Sequence, residues 1–318
     1  MLIRLLIALG LGMAAAPAAP LAVRVGYFPN VTHAQGVIGS HTSRRKEGWF
    51  ETRLGADVSL RWLPFNAGPS AIEGIFAGSV DLTYVGPNPA LNGYIRSEGE
   101  EIRIIAGAAE GGAALVVTGN SGISKPTDFR GRRVGTPQLG NTQDDAARSW
   151  LRAQGFKVTL TGGDVSVLPA ANPDLLQLFT QRRIDAAWTV EPWVSRLEQE
   201  AGGRVFLEQN DAITTVLVAS ARFLSRHPAI AERFQRAHVE LTAWINAHPG
   251  EAMELTRAGL TAEIRREVAP ALIASAWKRL RFTAEVEPAR FAALVEDARS
   301  VGLLRRSIPL ERLFPKDS

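Results

Sequence analysis

The chain has 318 residues, of which 46% are hydrophobic and 21% are charged, with 29 Gly and 18 Pro residues and no Cys. This length and composition are typical of a globular protein with two domains, and they exclude collagen-like repeats, disulfides and cysteine-based metal or catalytic sites. The net charge of +4 comes entirely from residues 221–318, where 16 Lys and Arg residues are interspersed with 12 Asp and Glu residues, so solvated helices are predicted there and no nucleic-acid partner is expected.

The N-terminus has the pattern of an export signal. Residues 1–19 run from a short basic start through an apolar stretch to a run of small residues. The apolar stretch is shorter than the roughly 20 residues of a membrane-spanning helix, so no stable membrane insertion is predicted. We predict a signal peptide over residues 1–22, cleaved after Ala18 or Ala22. Without Cys no lipid can be attached at the cut, so the predicted location is the periplasm, with no lipoprotein anchor.

Short β-rich stretches then alternate with helical stretches as far as residue 220. Gly, Pro and Asn residues separate the two kinds of segment. This alternation is typical of an α/β fold with mixed, mostly parallel sheets and helices on both faces. The predicted strands are residues 23–28, 58–62, 80–85, 102–106, 114–117 and 133–135, and helices are predicted to begin near residue 32, to cover residues 70–77 and to end near residue 153.

Two segments of the chain can be laid over each other, namely residues 75–87 and 178–192. Each has the end of an apolar helix, a β-branched residue followed by Asp, an aromatic residue three positions later and then a Pro. The two Asp residues are Asp81 and Asp185. The match indicates two lobes that are built alike, although helix–turn–strand units of any α/β protein can share such a pattern.

Residues 221–318 change in character. Ile230, Phe234 and Leu241 fall on one helical stripe, and the helical pattern returns at residues 271–280. No strand is predicted in this part. The helical tail is predicted to pack on the first lobe.

Motifs for catalysis do not occur in the sequence. His-Glu-x-x-His, Gly-x-Ser-x-Gly and the Walker phosphate loop are all missing. Ser43 and Lys46 match Ser-x-x-Lys only in spacing, because the motifs that accompany it in β-lactamases do not occur. We therefore predict no catalytic residue, no metal and no cofactor, and we do not expect an enzyme.

Polar residues lie at three predicted strand-to-helix turns. Residues 141–143 (Asn-Thr-Gln) begin a helix, where free backbone N–H groups and the helix dipole favour an anion. Residues 29–33 repeat the arrangement in the first lobe, and residues 86–88 form a third turn. Asp144 and Asp145 oppose an anion at the helix start. The alternative that the Asn and Thr residues are plain N-caps stays open.

Four segments resemble one family, the sulfonate-, taurine- and nitrate-binding proteins that serve ABC importers. The resemblance covers nearly all of the chain after the signal peptide, and it is more specific for the family than for the ligand. The segments are residues 25–35, 77–89, 140–144 and 184–193.

The resemblance implies a type II periplasmic-binding-protein fold, in which two lobes joined by two crossings close on a ligand. The crossings are expected near residues 109–112 and 211–215. Lobe 1 would then comprise residues 23–108 and 216–318, and lobe 2 would comprise residues 109–215 with the crossing segments.

The resemblance also implies which residues border the ligand. Thr142 and Gln143 would hold the oxyanion, and Trp188 and Tyr84 would be apolar walls or, alternatively, core residues. Glu191 would accept from a ligand ammonium or belong to a structural turn. The full set of predicted ligand-binding residues is Asn30, His33, Tyr84, Gly86, Asn88, Asn141, Thr142, Gln143, Trp188 and Glu191.

The function that this resemblance implies is capture of a small organic anion, foremost an aliphatic sulfonate, by a monomeric protein. The closed form would be presented to a membrane permease with its ATPase. Taurine, nitrate, a sulfate ester or a phosphonate are alternative ligands. Two further alternatives are a periplasmic hydrolase with His33 and Glu191 as an acid/base pair, and delivery of the signal to a sensor kinase.

Overall fold

The computed structural model describes residues 19–315, so most of the predicted signal peptide lies outside the described residues. The strands are β1 (Leu21–Tyr27), β2 (Val58–Pro64), β3 (Leu82–Val85), β4 (Ile102–Gly111), β5 (Ala113–Thr118), β6 (Arg133–Thr136), β7 (Ser166–Pro169), β8 (Ala186–Val190), β9 (Gly203–Gln209), β10 (Ile213–Ser220) and β11 (Leu280–Phe282). The α-helices are α1 (Ala34–Arg44), α2 (Trp49–Leu54), α3 (Gly68–Phe76), α4 (Pro87–Arg96), α5 (Thr142–Ala153), α6 (Asn172–Thr180), α7 (Trp193–Ala201), α8 (Ala221–Arg226), α9 (Pro228–Ala247), α10 (Pro249–Ile264), α11 (Pro270–Trp277) and α12 (Ala289–Ser300). None of the helices in residues 19–315 combines the length and the hydropathy of a membrane-spanning helix.

Two mixed sheets form the cores of two lobes. The first sheet has the strand order β11-β4-β10-β3-β1-β2, and the second has the order β7-β6-β8-β5-β9. β10 runs antiparallel between β3 and β4, and β5 runs antiparallel between β8 and β9. The two neighbours of β10 run parallel to each other, and so do the two neighbours of β5. The predicted α/β fold with two mixed sheets is therefore confirmed.

The two lobes are built alike. Apart from β11, both sheets have the same order of strands, and β3 and β8, which the sequence comparison aligns, occupy the same place. Asp81 accepts a hydrogen bond from the backbone N–H of Arg24 in β1, and Asp185 accepts one from the backbone N–H of Arg133 in β6, both at 2.9 Å. The two Asp residues thus tie the start of the third strand to the first strand in each lobe.

Each sheet buries apolar side chains on both faces. Along β5, Leu115 and Val117 belong to one buried cluster, and Ala114 and Val116 belong to another. Successive side chains of a strand point to opposite faces, so both faces are covered by helices. The first sheet also separates two buried clusters. This double burial explains why several strands are continuous apolar runs in the sequence.

The chain crosses between the sheets twice. β4 leads into β5 at Gly112, and β9 leads into β10 through residues 210–212; lobe 2 is therefore taken as the part between these points, and lobe 1 as the rest. Gly111 and Gly112 have φ values of 72° and 70°, which favour glycine. A Cβ at Gly111 would lie 2.3 Å from the carbonyl oxygen of Arg279. Glycine is thus required where the crossing meets the C-terminal tail.

The C-terminal tail differs from its prediction in two respects. β11 is a strand that pairs antiparallel with β4, with Leu280 opposite Gly111; three residues are too few to show a period of two, and the predicted absence of strands was wrong. The tail also contacts both lobes. α12 lies against α4 of lobe 1 and α5 of lobe 2, and Arg279 forms ion pairs with Glu191 and Glu198 of lobe 2. Packing on lobe 1 is therefore only part of its arrangement.

Candidate functional site

The carboxyl ends of β1, β3, β6 and β8 meet between the lobes, and the polar turns singled out in the sequence follow these ends. In sheets of this kind ligands bind at this edge. A cavity of about 30 Å³ lies there and is called the inner cavity below. Six of the predicted residues line it, namely Asn30, His33 and Gly86 from lobe 1 and Asn141, Thr142 and Gln143 from lobe 2.

The inner cavity is lined by neutral groups. Among the described residues that border it there is no Asp, Glu, Lys or Arg. His33 is only 2% exposed, and burial lowers its pKa to about 3. Its ring stacks on Phe28 with 4.2 Å between the ring centres, and its Nδ1 accepts a hydrogen bond from the backbone N–H of Phe28 at 3.4 Å. The ring proton is therefore on Nε2, which leaves a neutral donor.

The start of α5 is fixed by its own residues. Asn141 is the N-cap, and its Oδ1 accepts a hydrogen bond from the backbone N–H of Asp144 at 2.8 Å. The carboxylate of Asp144 accepts from the N–H of Gly140 at 3.0 Å, from the hydroxyl of Thr136 at 2.8 Å and from Nε of Arg148 at 3.0 Å. Asn141 is thus both a cap and part of the cavity wall, and Asp144 is neutralised by Arg148.

The two lobes touch at the inner cavity. A Cβ at Gly86 of lobe 1 would lie 2.3 Å from Oγ1 of Thr142 in lobe 2. Asn30 of lobe 1 accepts a hydrogen bond from the indole N–H of Trp193 in lobe 2 at 3.1 Å. These contacts show that the lobes are closed, and they explain why the inner cavity is small.

A second, larger cavity of about 360 Å³ adjoins the first and is called the outer cavity below. Thr142 and Gln143 line both cavities. Trp188 is a wall of the outer cavity together with Trp150, and the two rings meet edge to face with 6.0 Å between their centres. Trp188 is also 1% exposed and belongs to a buried cluster of lobe 2, so its position fits both the wall and the core alternative. Asn88 also lines the outer cavity.

Asp145 is a lining residue that the prediction did not include. It is 2% exposed, it lines the outer cavity, and its Oδ2 accepts a hydrogen bond from Nδ2 of Asn88 across the lobes. Burial, followed by the nearby carboxylates of Asp297 and Asp144, raises the pKa of Asp145 to about 8. Asp145 could have been predicted from the sequence, because it lies three residues after Thr142 and residues three apart share one face of a helix.

Two of the predicted residues lie away from both cavities. Tyr84 is fully buried in the core of lobe 1, where its hydroxyl forms a hydrogen bond of 3.0 Å with Nδ1 of His238 on α9. Burial raises the pKa of Tyr84 well above its ordinary value. β3 presents alternate side chains to opposite faces of the sheet, and Tyr84 points to the face that α9 covers. Its position is that of the core alternative.

Glu191 also lies outside the cavities. It is fully buried and accepts hydrogen bonds from the backbone N–H of Ser195 at 3.1 Å, from the hydroxyl of Ser195 at 2.9 Å and from Arg279 at 2.9 Å. Burial raises the pKa of Glu191, whereas these hydrogen bonds lower it. Its partners make it part of the junction between lobe 2 and the tail.

The arrangement is one for binding. His33 lines the inner cavity, whereas Glu191 lines neither cavity, so the structure does not bring the two residues of the hydrolase alternative together in one cavity. In the same part of the chain no group of three or more His, Asp or Glu residues is placed to hold a metal ion. What the cleft presents is neutral donors in the inner cavity, and acceptors with aromatic walls in the outer cavity.

Comparisons with known proteins, like the geometry of the cleft, indicate a binding protein. A model of the NMT1-like family matches residues 16–259. A binding protein of Brucella abortus is 24% identical over 263 residues, which are 80% of this chain and 77% of that protein. The taurine-binding periplasmic protein of Escherichia coli is 24% identical over 206 residues, which are 63% of this chain and 61% of that protein. The alkanesulfonate-binding protein of Xanthomonas axonopodis pv. citri, solved with bound MOPS, superposes with a TM-score of 0.72 at 17% identity, over 94% of this chain and 96% of that one.

Proposed function

The chain belongs to the NMT1-like family, and we propose that it is the solute-binding component of an ABC import system, capturing a small organic anion between its lobes. The proposed anion is an aliphatic sulfonate, the class to which the named ligands of two similar proteins belong. The closed form would be delivered to a membrane permease with its ATPase, and the protein would act as a monomer without chemical turnover of the ligand.

The observation that carries this proposal is the hydroxyl of Thr142 at the start of α5. It is buried, and its Oγ1 has no hydrogen-bond partner among the described residues. It lies in a cavity that both lobes line. A buried polar atom without a partner costs free energy unless a ligand or water satisfies it. Such an atom at the point where two lobes close supports a binding site.

The chemistry of the inner cavity suits an oxyanion that must be released again. The backbone N–H groups of the first turn of α5 and the positive end of its dipole favour negative charge. His33 adds a neutral ring N–H from the other lobe. Since no Arg or Lys lines this cavity, the anion is held by hydrogen bonds alone, which makes release less costly than from an ion pair.

Export to the periplasm is part of the proposal. Most of the predicted signal peptide lies outside the described residues, but its end does not: Leu21 pairs with Val58 and Ala22 pairs with Ser59 in the first sheet. A cut after Ala18 would keep these pairs, whereas a cut after Ala22 would remove them. The pairs therefore support cleavage after Ala18, and the absence of Cys supports a protein without a lipid anchor.

Isothermal titration of the exported protein with ethanesulfonate, propane-1-sulfonate, taurine, nitrate, methyl sulfate and methylphosphonate tests the proposal. We expect one-to-one binding of a sulfonate and recovery of the ligand unchanged. Replacing Thr142 and Gln143 together by Ala should weaken binding about tenfold or more, because hydrogen bonds to a charged group are lost.

The matched control is replacement of Thr180 and Gln181 by Ala. They are the same residue types at an exposed helix end outside both cavities, and affinity should be unchanged. Absence of binding by every anion, or equal affinity of T142A/Q143A and the unaltered protein, would contradict the proposal.

A further inference from the structure

The outer cavity contains buried hydrogen-bond acceptors that no described residue satisfies. Oδ1 of Asp145 and Oδ1 of Asn88 have no partner, and both residues are at most 2% exposed. The bond from Nδ2 of Asn88 to Oδ2 of Asp145 fixes which oxygen of each residue is free. The hydroxyls of Thr142 and Ser149 in the same wall are also without partners among the described residues. The wall therefore offers a ligand two oxygens, those of Asp145 and Asn88, and two hydroxyls, which can donate or accept.

The charged residues of the outer cavity also favour a cationic group. Asp145 and Asp297 both line the outer cavity. Arg290 is the one cation among its described lining residues, and it is bound to the carboxylate of Glu110 and the carbonyl oxygen of Asp211. Asp145 thus has no cationic partner in the cavity, in contrast to Asp144, which is paired with Arg148. Its pKa of about 8 keeps Asp145 protonated at neutral pH in the ligand-free protein, and a cation bound beside it would favour the charged form.

We infer that Asp145 and Asn88 form an ammonium-binding subsite in the outer cavity, so that the ligand is a zwitterion with a primary amine. An ammonium group has three N–H donors and no acceptor, which matches the free oxygens of Asp145 and Asn88 and one hydroxyl. The aromatic rings of Trp150 and Trp188 in the same wall suit the methylene chain and the cation. In this inference Asp145 and Asn88, and not Glu191, accept the hydrogen bonds of the ligand ammonium.

The inference rests on the proposed function, because the anionic end of the ligand is placed in the inner cavity. The two cavities share Thr142, Gln143 and Thr214. One small molecule therefore spans both when its sulfonate lies at the start of α5 and its amine lies beside Asp145. An aminoalkanesulfonate has this chemistry.

The experiment compares matched pairs of compounds by isothermal titration. One pair is 3-aminopropane-1-sulfonate and propane-1-sulfonate, and the other is taurine and ethanesulfonate. We expect the amine of each pair to bind about tenfold tighter or more, as a charge-assisted hydrogen bond predicts. Asp145→Asn should abolish this preference, because the amine then loses its acidic acceptor.

The matched control is Asp174→Asn. Asp174 is likewise an acidic residue in the first turn of a helix, α6, but it is exposed and lines neither cavity. It should keep the full preference for amines. If Asp145→Asn does not fold, the preference of the unaltered protein within each pair still decides.

The outcomes separate this inference from the proposed function. Equal affinities within each pair would overturn the ammonium subsite and leave sulfonate binding in place. An equal loss for both members of a pair in Asp145→Asn would also overturn it, because Asp145 would then act only through the structure. Binding of 3-aminopropan-1-ol, but of no sulfonate, would support the subsite and overturn the anion. Binding of neither class would overturn both.

Discussion

Replacing Arg279 by Met tests how the junction between lobe 2 and the tail is held. The guanidinium donates to Glu191 and Glu198 at 2.9 Å and to Glu208 at 2.8 Å. Glu191 is fully buried, whereas the side chains of Glu198 and Glu208 are 29% and 36% exposed. Met keeps much of the apolar stem and removes the charge. The substitution therefore isolates the loss of the cation from loss of packing.

Protonation of Glu191 limits the cost of this change. Removing one partner of a buried ion pair costs about 3–5 kcal/mol. A Glu with an ordinary pKa of about 4.3 can instead take up a proton at pH 7 for about 3.7 kcal/mol. The two partly exposed pairs add about 1 kcal/mol together. Arg279→Met should therefore lower the free energy of unfolding by about 4 kcal/mol at pH 7.

The loss of unfolding free energy also depends on pH, because Glu191 takes up its proton more easily at low pH. At pH 5 protonation of Glu191 costs only about 1 kcal/mol, so the total loss should be about 2 kcal/mol. In the variant the pKa of Glu191 lies further above its unfolded value, because the lowering contribution of Arg279 is gone. The folded variant then binds more protons than the unfolded chain above about pH 4, so its stability falls as the pH rises.

Urea unfolding of both proteins at pH 5 and pH 7 measures these losses. Arg236→Met is the control, because Arg236 forms an exposed pair with Glu232 one helical turn away, and it should cost less than about 0.5 kcal/mol. Adding Glu191→Gln to Arg279→Met should recover much of the loss at pH 7. A loss below about 1 kcal/mol at pH 7, or an equal loss at both pH values, would refute the reasoning.

Two further predictions concern the cleft. Gly86→Val should weaken sulfonate binding in isothermal titration about tenfold or more, because its side chain would meet Thr142 across the lobes and keep them apart. The φ of Gly86 is −66°, so the backbone of lobe 1 accepts Val, and unaltered affinity would show that closure does not need this contact. Burial and the carboxylates of Asp297 and Asp144 raise the pKa of Asp145 to about 8. The folded protein therefore keeps a proton that the unfolded chain releases near pH 4. The free energy of unfolding should fall as the pH rises from about 4 to about 8. Asp145→Asn should remove this loss, which is at most about 1.4 kcal/mol per pH unit. Urea unfolding at pH 5 and pH 7.5 measures the free energy of unfolding of both proteins. An equal change between the two pH values in both proteins would contradict the raised pKa of Asp145.

Much of the fold could be predicted because the signals are local. The alternation of apolar strands and helices needs only neighbouring residues, and so does the N-cap of α5, in which Asn141 bonds to Asp144 three positions later. The internal match of Asp81 and Asp185 was also sound, since both residues tie equivalent strands together. β11 was missed because its pairing with β4 is a contact between residues far apart in the chain.

The candidate site was predictable only in part, because the direction of a side chain depends on what packs against it. Tyr84 was predicted to border the ligand because it is the aromatic residue near a strand end, yet α9 covers its face of the sheet and its hydroxyl bonds to His238. Glu191 follows a strand end at the predicted edge, but Arg279 binds it from the tail. Neither partner can be identified from the residues around Tyr84 or Glu191.

The sequence by itself determined the two α/β lobes, their shared plan and the helix start with its Asn, Thr and Gln residues, since periodicity and capping act over a few residues. The tertiary structure alone decided the chemistry of the cleft. Asn88 and Asp145 are 57 positions apart and meet only because the lobes close. Burial then raises the pKa of Asp145 and lowers that of His33, and burial is a property of the packed molecule that no stretch of sequence contains.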